Sequence, residues 1–83
     1  DASARCAAVL LRLAGRRLAS EPEANLPSEI PATQAELAMN CNVSRKTISR
    51  IVGEFSRAGL LSIGYKWLTV QDPARLRHIA EGG

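Results

Sequence analysis

Aromatic residues are scarce in this 83-residue chain: Phe55, Tyr65 and Trp67 are the whole of its 4%. Any core must therefore be built mostly from Leu, Ile, Val and Ala. There is one histidine, His78, and there are two cysteines, Cys6 and Cys41, far apart in sequence. That inventory excludes a disulfide framework and any metal-ligand spacing, and each cysteine reads as a small buried hydrophobe. A Gly-rich phosphate loop is missing too, so an enzyme has no candidate catalytic group and no cofactor is expected in this domain. No apolar run approaches the roughly 20 residues of a membrane span. No signal-peptide pattern is visible, and the chain reads as cytoplasmic.

What is present suits a single folded domain over residues 1–83. Hydrophobic residues reach 46%, too many for a disordered segment. The first residue is Asp1, so a longer parent protein is expected. The net charge of +3 is mild but unevenly spread. From Val43 to Val70, five cations (Arg45, Lys46, Arg50, Arg57, Lys66) face one acid, Glu54, which gives that stretch +4 and leaves the remainder slightly negative. A basic stretch inside a near-neutral domain suggests a nucleic-acid face; a plain solvated surface would look the same on charge alone.

Periodicity supplies the elements. Residues Ala2 to Ala19 read as a helix, with Cys6, Val9, Leu10, Leu13 and Ala14 on one stripe and Arg5, Arg12 and Arg16 away from it. Three prolines between Glu21 and Pro31 force an irregular connection, with a short edge strand near Leu26 to Ile30. Glu21, Glu23 and Glu29 in that connector read as solubilising charge. Thr33-Gln34-Ala35-Glu36 fits a capping box that starts a helix running to about Asn40, with Leu37, Ala38 and Cys41 inward. Asn42 tolerates a left-handed turn, and Ser44 caps the next helix. That helix, Ser44 to Ala58 with its cap, carries the clearest pattern: Ile48, Ile51, Val52 and Phe55 at i, i+3, i+4 and i+7. Gly59 ends it. Leu60–Ile63 and Lys66–Val70 read as strands of a hairpin. Gly64 in the first central turn position favours a type II′ turn. Asp72-Pro73 then starts a last helix to about Ala80.

The expected fold is mainly α with a small β-hairpin, in the order of a winged helix-turn-helix. In that arrangement the second helix of the pair enters the DNA major groove with its N-terminal residues at the base edges. Arg45, Lys46, Ser49 and Arg50 fall in the first two turns and project away from the apolar side, so they are the expected base readers. Free amides at helix starts bind phosphate oxygens, which makes Thr33, Gln34, Ser44 and Thr47 candidate backbone contacts. Capping alone accounts for Thr33 equally well. Tyr65 and Lys66 sit at the tip of the wing, Ile63 to Trp67, where flanking phosphates would lie, and Trp67 reads as core or rim packing.

The segment from Leu26 to Ala80 resembles the C-terminal domain of the cyclic-AMP receptor protein and fumarate-nitrate regulator (Crp/Fnr) family. The resemblance rests on Ile30-Pro31-Ala32-Thr33-Gln34-Ala35-Glu36-Leu37-Ala38, on Val43-Ser44-Arg45-Lys46-Thr47-Ile48-Ser49-Arg50-Ile51 and on Gly59-Leu60-Leu61. Leu10-Leu11-Arg12-Leu13-Ala14 in the first helix also fits. It implies sequence-specific binding of a double-stranded DNA operator by a bacterial transcription regulator. It further implies an N-terminal sensor domain for a cyclic nucleotide or other effector, and a long dimerisation helix giving a homodimer. The expected partners are thus operator DNA, a second copy of the full-length protein and RNA polymerase, with no membrane. The family's base- and phosphate-contacting slots fall on Arg45, Lys46, Ser49 and Arg50, and its backbone-contacting slots on Thr33, Gln34 and Lys66. Two departures stand out. The slot of Lys46 often holds glutamate, which accepts from cytosine N4; lysine cannot accept, so a guanine or a phosphate is expected there. The family often places glycine just before the wing lysine, where this chain has Tyr65. A winged helix used for protein–protein contact, or one from another regulator family, would share much of this pattern.

Overall fold

The computed structural model describes residues 1–17 and 28–82, and its elements follow the chain in the order helix, strand, two helices, hairpin, helix. Helix α1 (Ala2–Arg17) starts where the Asp1 carboxylate accepts the Ala4 N–H at 3.0 Å. It buries Cys6, Ala7, Val9, Leu10 and Ala14, while Leu13 is only partly covered. The expected continuation to Ala19, the placing of the Arg16 side chain and the connector from Glu21 to Pro27 lie outside the described residues.

Helices α2 (Gln34–Cys41) and α3 (Arg45–Arg57) end by the same device with different residues. After α2, Asn42 takes φ 58° and ψ 47°, and the Val43 N–H reaches back to the Ala38 carbonyl at 3.0 Å. After α3, Gly59 takes φ 78° and the Leu60 N–H reaches the Phe55 carbonyl at 2.9 Å. Each left-handed residue lets two amides, its own and the next, cap exposed carbonyls and turns the chain sharply. The Asn42 turn is what sets α3 against α2. Helix α2 runs one residue past its expected end, and the buried Cys41 is its last residue.

Strands β1 (Ser28–Ile30), β2 (Leu61–Gly64) and β3 (Trp67–Val70) form an antiparallel sheet in the order β1-β3-β2. The expected edge strand is thus real over its described part, and it extends the hairpin to three strands. Helix α4 (Pro73–Ala80), capped by Asp72 with Pro73 in the first turn, packs back on α1. Leu10, Ile30, Leu37, Ile48, Ile51, Val52, Leu61, Leu68, Val70 and Leu76 are all buried, so every element contributes to one aliphatic core.

Candidate nucleic-acid interface

Helix α3 is held by one side only. Ile48, Ile51 and Val52 are fully buried and Phe55 nearly so, as their spacing requires. Arg45, Lys46, Ser49 and Arg50 are all exposed, so the four expected base readers share the solvent-facing surface of the first two turns. Arg50 is not idle there: its Nη1 donates to Glu54 Oε1 at 3.1 Å, an exposed i,i+4 ion pair. Glu54 was legible as an acid but not as a partner. The arginine–glutamate spacing of four was the available signal.

The two helix starts are capped by hydroxyls whose protons are already committed. The Thr33 hydroxyl accepts the Glu36 N–H at 3.2 Å and donates to Glu36 Oε1 at 3.1 Å, and the Thr33 N–H donates to the same carboxylate at 3.0 Å. Both halves of the capping box are present. These bonds from the backbone and side chain of Thr33 hold the Glu36 carboxyl below its usual range. At α3, the Ser44 hydroxyl accepts the Thr47 N–H at 3.1 Å and donates to Thr47 Oγ1 at 3.0 Å. Thr47 keeps its own hydroxyl proton, so of these three hydroxyls it is the one free to donate outward. The first-turn amides of Gln34 and Arg45, by their position, have no intrahelical acceptor and point out of the helix starts.

An open cleft of about 410 Å³ joins these starts to the hairpin. Thr33 and Gln34 line one wall, Arg45 another, and Ile63, Tyr65 and Lys66 a third. Lys66 Nζ lies 5.4 Å from the centre of the Tyr65 ring, over its face. The fold therefore gathers Thr33, Gln34, Arg45, Tyr65 and Lys66 around one concavity, while Lys46, Ser49 and Arg50 lie along the outer face of α3.

The hairpin turn departs from the expected one. Gly64 pairs with Trp67, so the central residues are Tyr65 and Lys66, one position later than a Gly64-Tyr65 turn. Lys66 carries the positive φ, 67°, in the second central position. A type II′ turn needs it in the first, so that assignment is corrected. The glycine serves a different purpose. A Cβ at Gly64 would lie 2.5 Å from the Trp67 indole, which crosses it. Trp67 is accordingly a rim residue, 45% exposed, shielding the bare strand.

Residues 4–79 match the family described as the Crp-like helix-turn-helix domain. The chain is 35% identical over 77 residues to the transcriptional regulator SdrP of Thermus thermophilus, covering 93% of this chain and 37% of that protein. Among solved structures, it resembles a transcriptional regulator of the CRP/FNR family from Thermus thermophilus (30% identity, TM-score 0.79, 95% of this chain and 40% of that one). It also resembles the catabolite activator protein of Thermus thermophilus (27% identity, TM-score 0.75, 98% of this chain and 34% of that one). The chain thus spans well under half the length of these relatives.

Proposed function

Since this chain belongs to the Crp-like helix-turn-helix domain family, we propose that it reads a specific duplex DNA operator, with α3 in the major groove and the wing Ile63–Trp67 against the backbone. One observation carries the reading. The exposed surface of the first two turns of α3 is Arg45, Lys46, Ser49 and Arg50, directly opposite an aliphatic anchor with no exposed apolar residue among them. A helix that docks a protein partner would instead present apolar groups there.

Arg50 and Lys46 read base edges, with guanine O6 and N7 the natural acceptors, and Ser49 adapts to either base of a pair. Arg45, on the cleft wall, serves bases or the adjoining phosphate. Gln34, Tyr65 and Lys66 hold phosphates around the cleft, Thr47 holds one beside the start of α3, and the first-turn amides near Thr33 and Ser44 add their dipoles. The role is binding rather than catalysis. In the parent protein we propose an N-terminal sensor domain for a cyclic nucleotide or other effector, a homodimer on a near-palindromic site, contact with RNA polymerase, and a cytoplasmic location.

The test is selection from a random duplex pool, followed by titration of the selected site and a scrambled one over a range of salt. The expected result is preference for the selected site and log K falling linearly with log salt, by about 0.9 per phosphate contacted. No selection, or affinity independent of salt, overturns the reading.

A further inference from the structure

Among the described residues, no contact requires a glycine at position 53. It lies in the middle of α3 with φ outside the left-handed region, where glycine is destabilising relative to alanine. Among the described residues, an added Cβ would meet only the guanidinium of Arg57, at 3.6 and 4.0 Å, which is ordinary contact distance. No turn, packing neighbour or backbone strain calls for glycine here. A bare helical position of this kind leaves room for close approach of something outside the molecule.

Its place on the helix says what approaches. Positions 46, 50, 53 and 57, spaced four, three and four, fall on one line along an α-helix. That line runs opposite Ile48, Ile51, Val52 and Phe55, so Lys46, Arg50, Gly53 and Arg57 form one solvent-facing stripe. Arg57 is exposed, has no ion-pair partner among the described residues, and lies folded back over Gly53 instead of extending from the helix end. Its charge is thereby brought one turn nearer to Arg50.

We propose that Gly53 and Arg57 extend the DNA-binding face toward the C-terminal end of α3, an inference that rests on the groove-binding reading above. Gly53 lets a sugar–phosphate strand at the groove edge approach the helix backbone. Arg57, which covers that bare surface in the free protein, lifts from it and turns its N–H groups to a phosphate oxygen of the incoming strand. Neither residue reads sequence; both set how deeply the helix seats.

Two variants test this by titration of selected and scrambled duplexes. Gly53→Ala should raise the melting temperature by roughly 2–8 °C, the usual gain on filling a mid-helix glycine. It should at the same time weaken binding severalfold on both duplexes. Arg57→Ala should weaken both duplexes alike and reduce the salt slope by about one. A cation that merely complements the helix C-terminus would lower stability and leave the slope alone. A more stable Gly53→Ala protein with unchanged affinity, or an unchanged slope in Arg57→Ala, overturns the proposal. If Arg50→Ala still loses its base preference in those experiments, the groove reading survives that failure. A wild-type protein that does not bind duplex DNA sinks both.

Discussion

Replacing Arg50 with alanine separates DNA recognition from folding, because little of the fold rests on this side chain. The side chain is exposed, and its one defined contact is the 3.1 Å ion pair with Glu54, in which the partners are 57% and 47% exposed. An exposed i,i+4 pair is worth about 0.3–0.5 kcal/mol, and alanine returns part of that through its helix propensity. The fold should therefore lose no more than about 0.5 kcal/mol, or roughly 2–4 °C in melting temperature for a domain of this size. A bidentate arginine–guanine contact carries about 1–3 kcal/mol of discrimination, which is roughly 5- to 150-fold in affinity at one base pair. Truncation also leaves the Glu54 carboxylate unneutralised near the phosphates, which lowers affinity for every duplex. The variant Arg50→Ala with Glu54→Gln removes that repulsion and isolates base reading. Anisotropy titration of the selected operator, a set of single-base variants and a scrambled duplex measures it. The expected result is a flattened preference at one base pair of the selected site, in the single and the double variant alike. Equal loss on operator and scrambled DNA would refute the assignment of Arg50 to a base.

Three further outcomes are expected. Lys66→Ala should weaken all duplexes and reduce the salt slope by about one, as measured by titration at several salt concentrations; an unchanged slope removes Lys66 from the phosphate contacts. Gly64→Ala should displace the Trp67 indole, because the new Cβ would lie 2.5 Å from it. Trp67 is the single tryptophan and half exposed, so it can swing outward. Its emission should shift to the red with a stability loss of about 0.2–1 kcal/mol, and an unshifted spectrum contradicts the packing described. The third outcome concerns alkaline pH. Burial first, and then the neighbouring Cys6 thiol, push the Cys41 thiol up from 9.0 to about 12. The unfolded thiol ionises from about pH 9 while the folded one stays protonated, so the folded state binds the extra proton and stability falls as pH rises through that window. Urea midpoints at pH 8 and pH 10.5 should therefore drop more for wild type than for Cys41→Ala, and parallel drops would contradict the assignment.

Local chemistry alone determined much of this protein. The i, i+3, i+4, i+7 pattern in α3 selected both its buried side and its exposed cations. Such a pattern is a property of helical geometry and needs no tertiary information. The caps at Thr33, Ser44 and Asp72 and the stop at Gly59 were equally legible, because each bonds within three or four residues of itself. The resemblance to a regulator family was carried by the same local runs.

Other features were settled only by contacts between distant segments. The hairpin turn fell one residue later than its glycine suggested, because strand register is fixed by burying Leu61, Leu68 and Val70, and because the Trp67 ring needs the bare Gly64 beneath it. The meeting of Cys6 with Cys41 and the cleft that sets Thr33 and Gln34 across from Lys66 likewise join residues more than thirty positions apart. No period or spacing along the chain encodes such distances. They follow from packing α1, α2 and the sheet around one small aliphatic core, where volume and shape choose among arrangements that local preference leaves equal.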